Sequence, residues 1–253
     1  MTSSMEFGFE LFLILFAVAF VAGLVDAIAG GGGLLTIPAL LYAGLPPVAA
    51  LATNKLQSCF GSFTAASYFV KKKMVHLQEM KLMIALTFVG SVLGGFALLQ
   101  IDATLLRRII PILLILIGLY FLLFPNIGAL DKEKRISIIL FSFLIAFGVG
   151  FYDGFFGPGT GSFFAIAFVA LLGFNLTKAT AHAKVLNFIS NIASLCFFMI
   201  FGKIYWTLGL CMGLGQMCGA FVGARMVVKN GQKIIRPLIV IISFVMSIKL
   251  FLS

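Results

Sequence analysis

Predominantly apolar stretches of about 20 residues, the length that crosses a bilayer as a helix, recur at about 8 to 29, 82 to 99, 105 to 124, 135 to 153, 205 to 224 and 234 to 252. Each predicts a membrane span. Two further apolar blocks, about 34 to 70 and 161 to 201, are organised differently. Each holds a helix-sized piece of roughly a dozen residues, then a turn, then a longer piece; a dozen is too short to span and reads as a re-entrant or broken helix. Gly44, Pro46 and Pro47 supply the first turn, and Gly173 and Asn175 the second. The pattern predicts an all-α membrane protein of about eight transmembrane segments.

The two blocks are entered through matching sequence: VDAIAGGGGLLTIPALL from Val25 to Leu41, and YDGFFGPGTGSFFAIAF from Tyr152 to Phe168. Asp26 and Asp153 are offset by 127, Lys55 and Lys184 by 129, Gly90 and Gly215 by 125, and Pro111 and Pro237 by 126. The chain therefore reads as one membrane domain, 1–253, built by a diverged duplication with one repeat at about 8–125 and the other at about 134–253. Matched, glycine-interrupted apolar segments in two halves point to a transporter whose binding site lies between them.

Composition places the chain in lipid: 62% hydrophobic and 10% charged residues with a mean hydropathy of +1.17, against about half apolar and a quarter charged in soluble domains. The loops are too short for a soluble domain, so function belongs within the membrane. Glu6 and Glu10 without a Lys or Arg at the N-terminus argue against a cleaved signal peptide, which needs a basic leading region. The net charge of +10 implies no nucleic-acid partner, because positive residues in a membrane protein are read by loop. Lys71, Lys72, Lys73 and Lys81, then Lys132, Lys134 and Arg135, then Arg225, Lys229, Lys233 and Arg236 form three basic loops. If these are cytoplasmic, both termini face outward and the halves have opposite orientation, an inverted repeat. Arg107, Arg108, Lys203 and Lys249 are the outward minority. The oligomeric state stays open.

The glycine runs cannot continue a helix cheaply, each costing about 1 kcal/mol against Ala, but they allow unusual dihedrals and close backbone approach. A break inside a membrane is tolerated where the freed backbone lines a cavity. The N–H groups at a helix start attract an anion, which nominates Gly31, Gly32 and Gly33 in one copy and Gly159, Thr160, Gly161 and Ser162 in the other. The alternative is close helix packing, which suits Gly90, Gly94, Gly215, Gly219 and Gly223 better. GPGTGS lacks the Lys of a nucleotide-binding loop. Cys59, Cys196, Cys211 and Cys218 form no Cys-x-x-Cys pair, so neither metal nor dithiol chemistry is indicated.

Thr180, Lys184, Asn187, Asn191 and Ser194 are spaced four, three, four and three, one stripe along a helix face. The first copy keeps Lys55, Ser58 and Ser62 at the middle positions. An intramembrane lysine is costly and marks a pathway or a partner. Lys55 and Lys184 would offer positive charge to an anion, or else snorkel to an interface or pair with Asp26 and Asp153. Those carboxylates would couple anion movement to protons or accept N–H bonds from the broken backbone. Thr53, Asn54 and Gln57 lie beside Lys55 and add donors. His182 aligns with Thr53 and reads as a substrate contact or as a hydrogen-bonded structural residue.

On DAIAGGGGLLTIPALLYAGLPPVAALATNKL from Asp26 to Leu56, GFYDGFFGPGTGSF from Gly150 to Phe163, and ATAHAKVLN from Ala179 to Asn187, the chain resembles the TauE/SafE-type sulfite exporter family of membrane transporters. The resemblance implies a bacterial cytoplasmic-membrane protein of about eight segments, built by duplication. It implies that a sulfur-containing anion such as sulfite, an organosulfonate or sulfoacetate is moved.

The expected function is thus a secondary transporter, an exporter or permease, of a small oxyanion. The anion would sit between the two broken helices, and the halves would rock around it. A passive anion channel is the alternative. No motif supports an intramembrane enzyme, and no cofactor is implied.

Overall fold

The computed structural model describes residues 8–100, 130–231, 233–235, 237, 238 and 241. The spans expected at 105 to 124 and over most of 234 to 252 lie outside the described residues, as do Arg107, Arg108, Pro111, Arg236 and Lys249.

All regular structure among the described residues is helical. Helix α1 (Phe9–Ala29) leads into the short α2 (Gly33–Tyr42) and the long α3 (Pro47–Lys71); a 3₁₀ turn (Leu77–Met80) opens α4 (Lys81–Leu98). Then come α5 (Ile138–Phe155, with a π-type turn at Ser142–Ala146), the short α6 (Thr160–Leu172), the long α7 (Leu176–Phe201) and α8 (Trp206–Asn230). Both expected breaks are present at their turns. Gly44 has φ +90° and Pro47 opens α3, where a missing N–H costs nothing. Gly173 has φ +71°, and the Asn175 side chain caps α7 by accepting from Lys178 N at 2.9 Å.

Among the described residues, five helices are long and apolar enough to cross a membrane: Phe9–Ala29, Leu77–Leu98, Ile138–Phe155, Leu176–Phe201 and Trp206–Asn230. Helix α3 has the length, at 25 residues, but its apolar character is interrupted by Thr53, Asn54, Lys55, Gln57, Ser58 and Ser62, all buried. A polar face of that size is stable only against protein or a wet cavity.

The packing interlocks the two parts of the chain. Helix α1 lies along α8, and α4 along α5; α3 packs on both α7 and α8, and α7 on both α3 and α4. Glycines make these approaches possible. A Cβ at Gly90 or Gly94 would fall 2.3 or 2.0 Å from the carbonyl oxygens of Phe147 and Phe151, and one at Gly219 or Gly223 would fall 1.8 or 2.6 Å from those of Phe20 and Leu24. The contact equivalent of Gly90 is therefore Gly219, at an offset of 129, and not Gly215 at 125. Backbone-to-backbone contact at successive turns is the small-residue packing seen between membrane helices.

The short helices are sheathed in apolar side chains. Phe164, Phe168 and Leu172 of α6 share a cluster with Phe69, Phe141 and Leu186, and Leu40 of α2 packs with Leu15, Leu208 and Met212. Irregular backbone at their ends is thereby shielded by protein, the condition under which it is tolerated at membrane depth. Outward faces carry exposed Leu13, Leu144, Ile200 and Leu214.

Candidate functional site

Helix α1 ends on Gly30, whose φ of +84° and N–H bond to Asp26 O at 2.8 Å form a left-handed cap that favours glycine. In the second half Gly157 (φ +96°) and Gly159 (φ +81°) flank Pro158 before α6 begins. The two breaks meet: a Cβ on Gly30 would lie 2.3 Å from both Gly161 C and Ser162 N, and the Ser162 hydroxyl donates to Ala29 O. The tips expected to approach each other are in contact.

Around this junction stand two buried ion pairs that cross between the halves. Lys184 Nζ donates to Asp26 Oδ2 at 2.9 Å. Lys55 Nζ lies 2.8 Å from Asp153 Oδ2, off the direction of a hydrogen bond, and instead donates to Asp153 O at 2.6 Å. Exposures are 2% for Lys55, 1% for Lys184, 7% for Asp26 and 1% for Asp153. Two ammonium and two carboxylate groups sum to zero, which is what makes four charges tolerable at this burial. The second carboxylate oxygens tie the breaks: Asp26 Oδ1 accepts from Gly32 N at 3.2 Å, and Asp153 Oδ1 accepts from Thr160 Oγ1 at 2.7 Å. Each aspartate is thus paired with a lysine and also holds its break, Asp26 through a backbone N–H and Asp153 through a hydroxyl.

Between the pairs lies a small polar cavity. Asp26, Asp153 and Lys55 form its charged wall; Asn54, Ser58, Thr160, Asn187 and Asn191 add polar side chains, and Gly30, Gly33, Gly157 and Gly159 supply backbone. No large apolar side chain lines it. About 20 Å³ is open to the centre of a water-sized sphere, room for a water but not for a solute of several heavy atoms until the walls part.

Ten of the expected residues are brought together here: Asp26, Gly33, Asn54, Lys55, Ser58, Asp153, Gly159, Thr160, Asn187 and Asn191. Lys184 reaches the site through Asp26. Gly31, Gly32, Gly161 and Ser162 build the breaks without lining the cavity. Thr53 and His182 point elsewhere. Thr53 Oγ1 accepts from Tyr205 N at 3.1 Å, while His182 Nδ1 is 2.8 Å from Lys178 O, with its ring against Phe168 and Phe174. Each stands two residues before its lysine, about 200° around the helix. Ser194, at the end of the stripe, bonds Ser91 Oγ at 2.8 Å and joins helices α7 and α4.

The helix starts differ from expectation. Leu34 N, Leu35 N, Ser162 N and Phe163 N bond back into the turns at Gly31, Gly32 and Gly159, and Gly32 N is taken by Asp26. The N–H groups of Gly33 and Gly161 are outside these bonds, and of the two only Gly33 lines the cavity. Tight turns have absorbed most of the orphan donors. Gly30 and Gly157 were not singled out as site residues; a glycine closing an apolar helix ahead of a second helix is the signal for a left-handed cap.

A comparison with known families places residues 15–250 in the sulfite exporter TauE/SafE family. The chain belongs to that family. It is 56% identical over 237 residues to "Probable membrane transporter protein YfcA" of Escherichia coli K12, covering 94% of this chain and 88% of the relative. It is 50% identical over 246 residues to "Probable membrane transporter protein" of Haemophilus influenzae, covering 97% and 96%. A more distant relative, YunE of Bacillus subtilis, is 25% identical over 260 residues, covering 91% and 95%. No solved structure matches. As a TauE/SafE member with several membrane-crossing helices, the chain is a multi-pass membrane transporter.

Proposed function

We propose that this TauE/SafE transporter is a secondary carrier of a small sulfur-containing oxyanion, such as sulfite, an organosulfonate or sulfoacetate, across the cytoplasmic membrane. The anion binds in the cavity where the two broken helices meet, within two halves of opposite orientation. The observation that carries this reading is the crossed pairing of Lys55 with Asp153 and Lys184 with Asp26. In the empty carrier both lysines are neutralised internally, so the site can be occluded without an unpaired buried charge, whose exposure to a dry interior costs about 3 to 5 kcal/mol when one partner is lost. An anion entering the cavity competes with the carboxylates for the ammonium groups. Protonation of Asp153 or Asp26 removes that competition: the neutral acid releases its lysine, the lysine takes the anion, and the loaded site is again neutral when one proton enters per negative charge, one carboxylate for a monoanion and both for a dianion. Anion and proton then move together. Asn54, Ser58, Asn187 and Asn191 supply neutral polar contacts around the bound solute.

The duplication is supported by contacts that recur when the halves are exchanged. Gly23 against Gln216 matches Gly150 against Thr87 at offsets of 127 and 129, and the two ion pairs are related in the same way. With one further segment per half, the helices reach about eight spans. A passive channel would need neither crossed pairs nor occlusion. The test is anion uptake into proteoliposomes with an imposed pH gradient. Accumulation above the outside concentration, abolished by a protonophore, is expected of the carrier; equilibration alone assigns a channel.

A further inference from the structure

With both lysines committed to carboxylates, the first contact available to an incoming anion is a neutral donor, and one residue of the cavity is held as such. Asn54 Oδ1 accepts two hydrogen bonds, from Thr36 Oγ1 at 2.6 Å and from Gln57 Nε2 at 2.8 Å. Those occupy both lone pairs of the amide oxygen and leave its NH₂ group to face the other way. That way is the cavity: Asn54 lines it, and Asn54 Nδ2 is 3.6 Å from where a Cβ on Gly33, another lining residue, would sit. The two residues behind the amide are fully buried, and Thr36 Oγ1 is also within 3.2 Å of Gly32 O, so α2 fixes the amide that α3 presents. Gln57 Oε1 is a buried acceptor without a partner, a cost of about 1 to 3 kcal/mol that an apolar side chain at 57 would avoid.

The second half has no counterpart. At the offsets that relate the ion pairs, Thr36, Asn54 and Gln57 correspond to Phe163, Ala183 and Leu186. We propose that Asn54 is the directional donor of the anion site, with Thr36 and Gln57 as positioning residues that hold its NH₂ group toward the cavity. The lysine–aspartate frame is shared by both halves, and the Thr36–Asn54–Gln57 arrangement that orients a donor is built on the first half alone. This rests on the anion-carrier reading above.

The full-length protein in detergent tests it through two independent measurements, binding of radiolabelled sulfite and thermal unfolding. Asn54→Asp keeps the acceptor for Thr36 and Gln57 but replaces the donor with an oxygen. It also adds a buried carboxylate with no lysine left to pair it, so its unfolding temperature is expected to fall, and sulfite affinity falls about 10- to 100-fold, the worth of a hydrogen bond to a charged group. Gln57→Glu turns the bond behind the amide into a repulsion and swings the carbonyl into the cavity. The same loss of affinity is expected, and the double variant should lose no more than the worse single. Asn54→Leu, which adds no charge, serves if the carboxylate prevents folding. Wild-type sulfite affinity in Asn54→Asp would mean that an oxygen already faces the cavity and the NH₂ group is tied to Thr36 and Gln57, and overturns the proposal. Unchanged sulfite binding by Asn54→Leu, or additive losses in the double variant, does the same. Wild-type protein that binds none of sulfite, sulfate, thiosulfate and taurine removes the carrier reading and this inference together; wild-type binding indifferent to residue 54 removes this inference alone.

Discussion

Lys184 on α7 donates to Asp26 on α1 across 158 positions of chain, at 2.9 Å and out of contact with solvent. The bond ties the second half's long helix to the carboxylate that also holds the first half's break in place through Gly32 N. Its mirror, Lys55 with Asp153, does the same for the Thr160 end of the second break. Charge, backbone geometry and cavity shape are therefore one connected object.

That connection changes what lysine removal does. Lys184→Ala and Lys55→Ala abolish anion flux in proteoliposomes, and each also strands a buried carboxylate, lowering stability by about 3 to 5 kcal/mol. Pairing the lysine change with loss of its own partner, Lys184→Ala with Asp26→Ala, recovers most of that stability without recovering flux. Unfolding of the four combinations in detergent measures the coupling, and Lys184→Ala with Asp153→Ala, the uncrossed combination, shows no recovery.

Asp153→Asn and Asp26→Asn mimic the protonated carboxylates. Anion exchange down its own gradient continues in these variants, while accumulation driven by an imposed pH gradient disappears. Side-by-side flux assays with and without the gradient distinguish the two; retained pH-driven accumulation in both variants assigns the coupling proton to another group.

Glycine positions separate by what surrounds them. Gly94→Ala and Gly219→Ala place a methyl about 2 Å from a carbonyl oxygen and destabilise by about 1 to 3 kcal/mol or more. Gly148→Ala, with nothing within 4 Å of its Cβ, is neutral or stabilising by up to about 1 kcal/mol. Gly30→Ala combines a positive φ with the 2.3 Å approach to Gly161 and so separates the tips; anion affinity falls along with stability. Thermal unfolding and sulfite binding on the four variants check this order.

His182→Phe keeps the anion KM of wild type, because the ring sits between Phe168 and Phe174 on the side of α7 that faces away from the cavity. A shift in KM as large as that of an Asn54 variant would return His182 to the site.

Much of this site is legible in the sequence because its parts obey short-range rules. The glycine runs mark the breaks, and the four-three spacing from Lys184 to Asn191 marks one helix face. The similar spacing of Asp26 to Lys55 and Asp153 to Lys184, 29 and 31 residues, marks the frame. What sequence leaves open is long-range: which aspartate each lysine meets depends on how α3 and α7 cross, and no local pattern contains that. Lys55 could as well have met Asp26, 29 residues earlier in its own half. The state of the helix-start donors is hidden for a local reason, since 3₁₀-type bonds at Gly31 and Gly159 consume N–H groups that an ideal helix would leave open. Glycines four apart are interchangeable to an alignment and not to the backbone they touch: Gly90 meets Phe147 O as Gly219 meets Phe20 O.

The lengthwise contacts of α1 with α8 and of α4 with α5 bear on how the cavity can be exposed to either side. Each of those pairs joins a helix from before the mid-chain junction to one from after it, clasped at successive turns by glycine, so neither can be parted without unfastening backbone-to-backbone seams. The bodies expected to shift are then the α1–α8 and α4–α5 pairs, each moving as a unit about the central α3 and α7. A hinge in this transporter is to be sought where those pairs meet the centre.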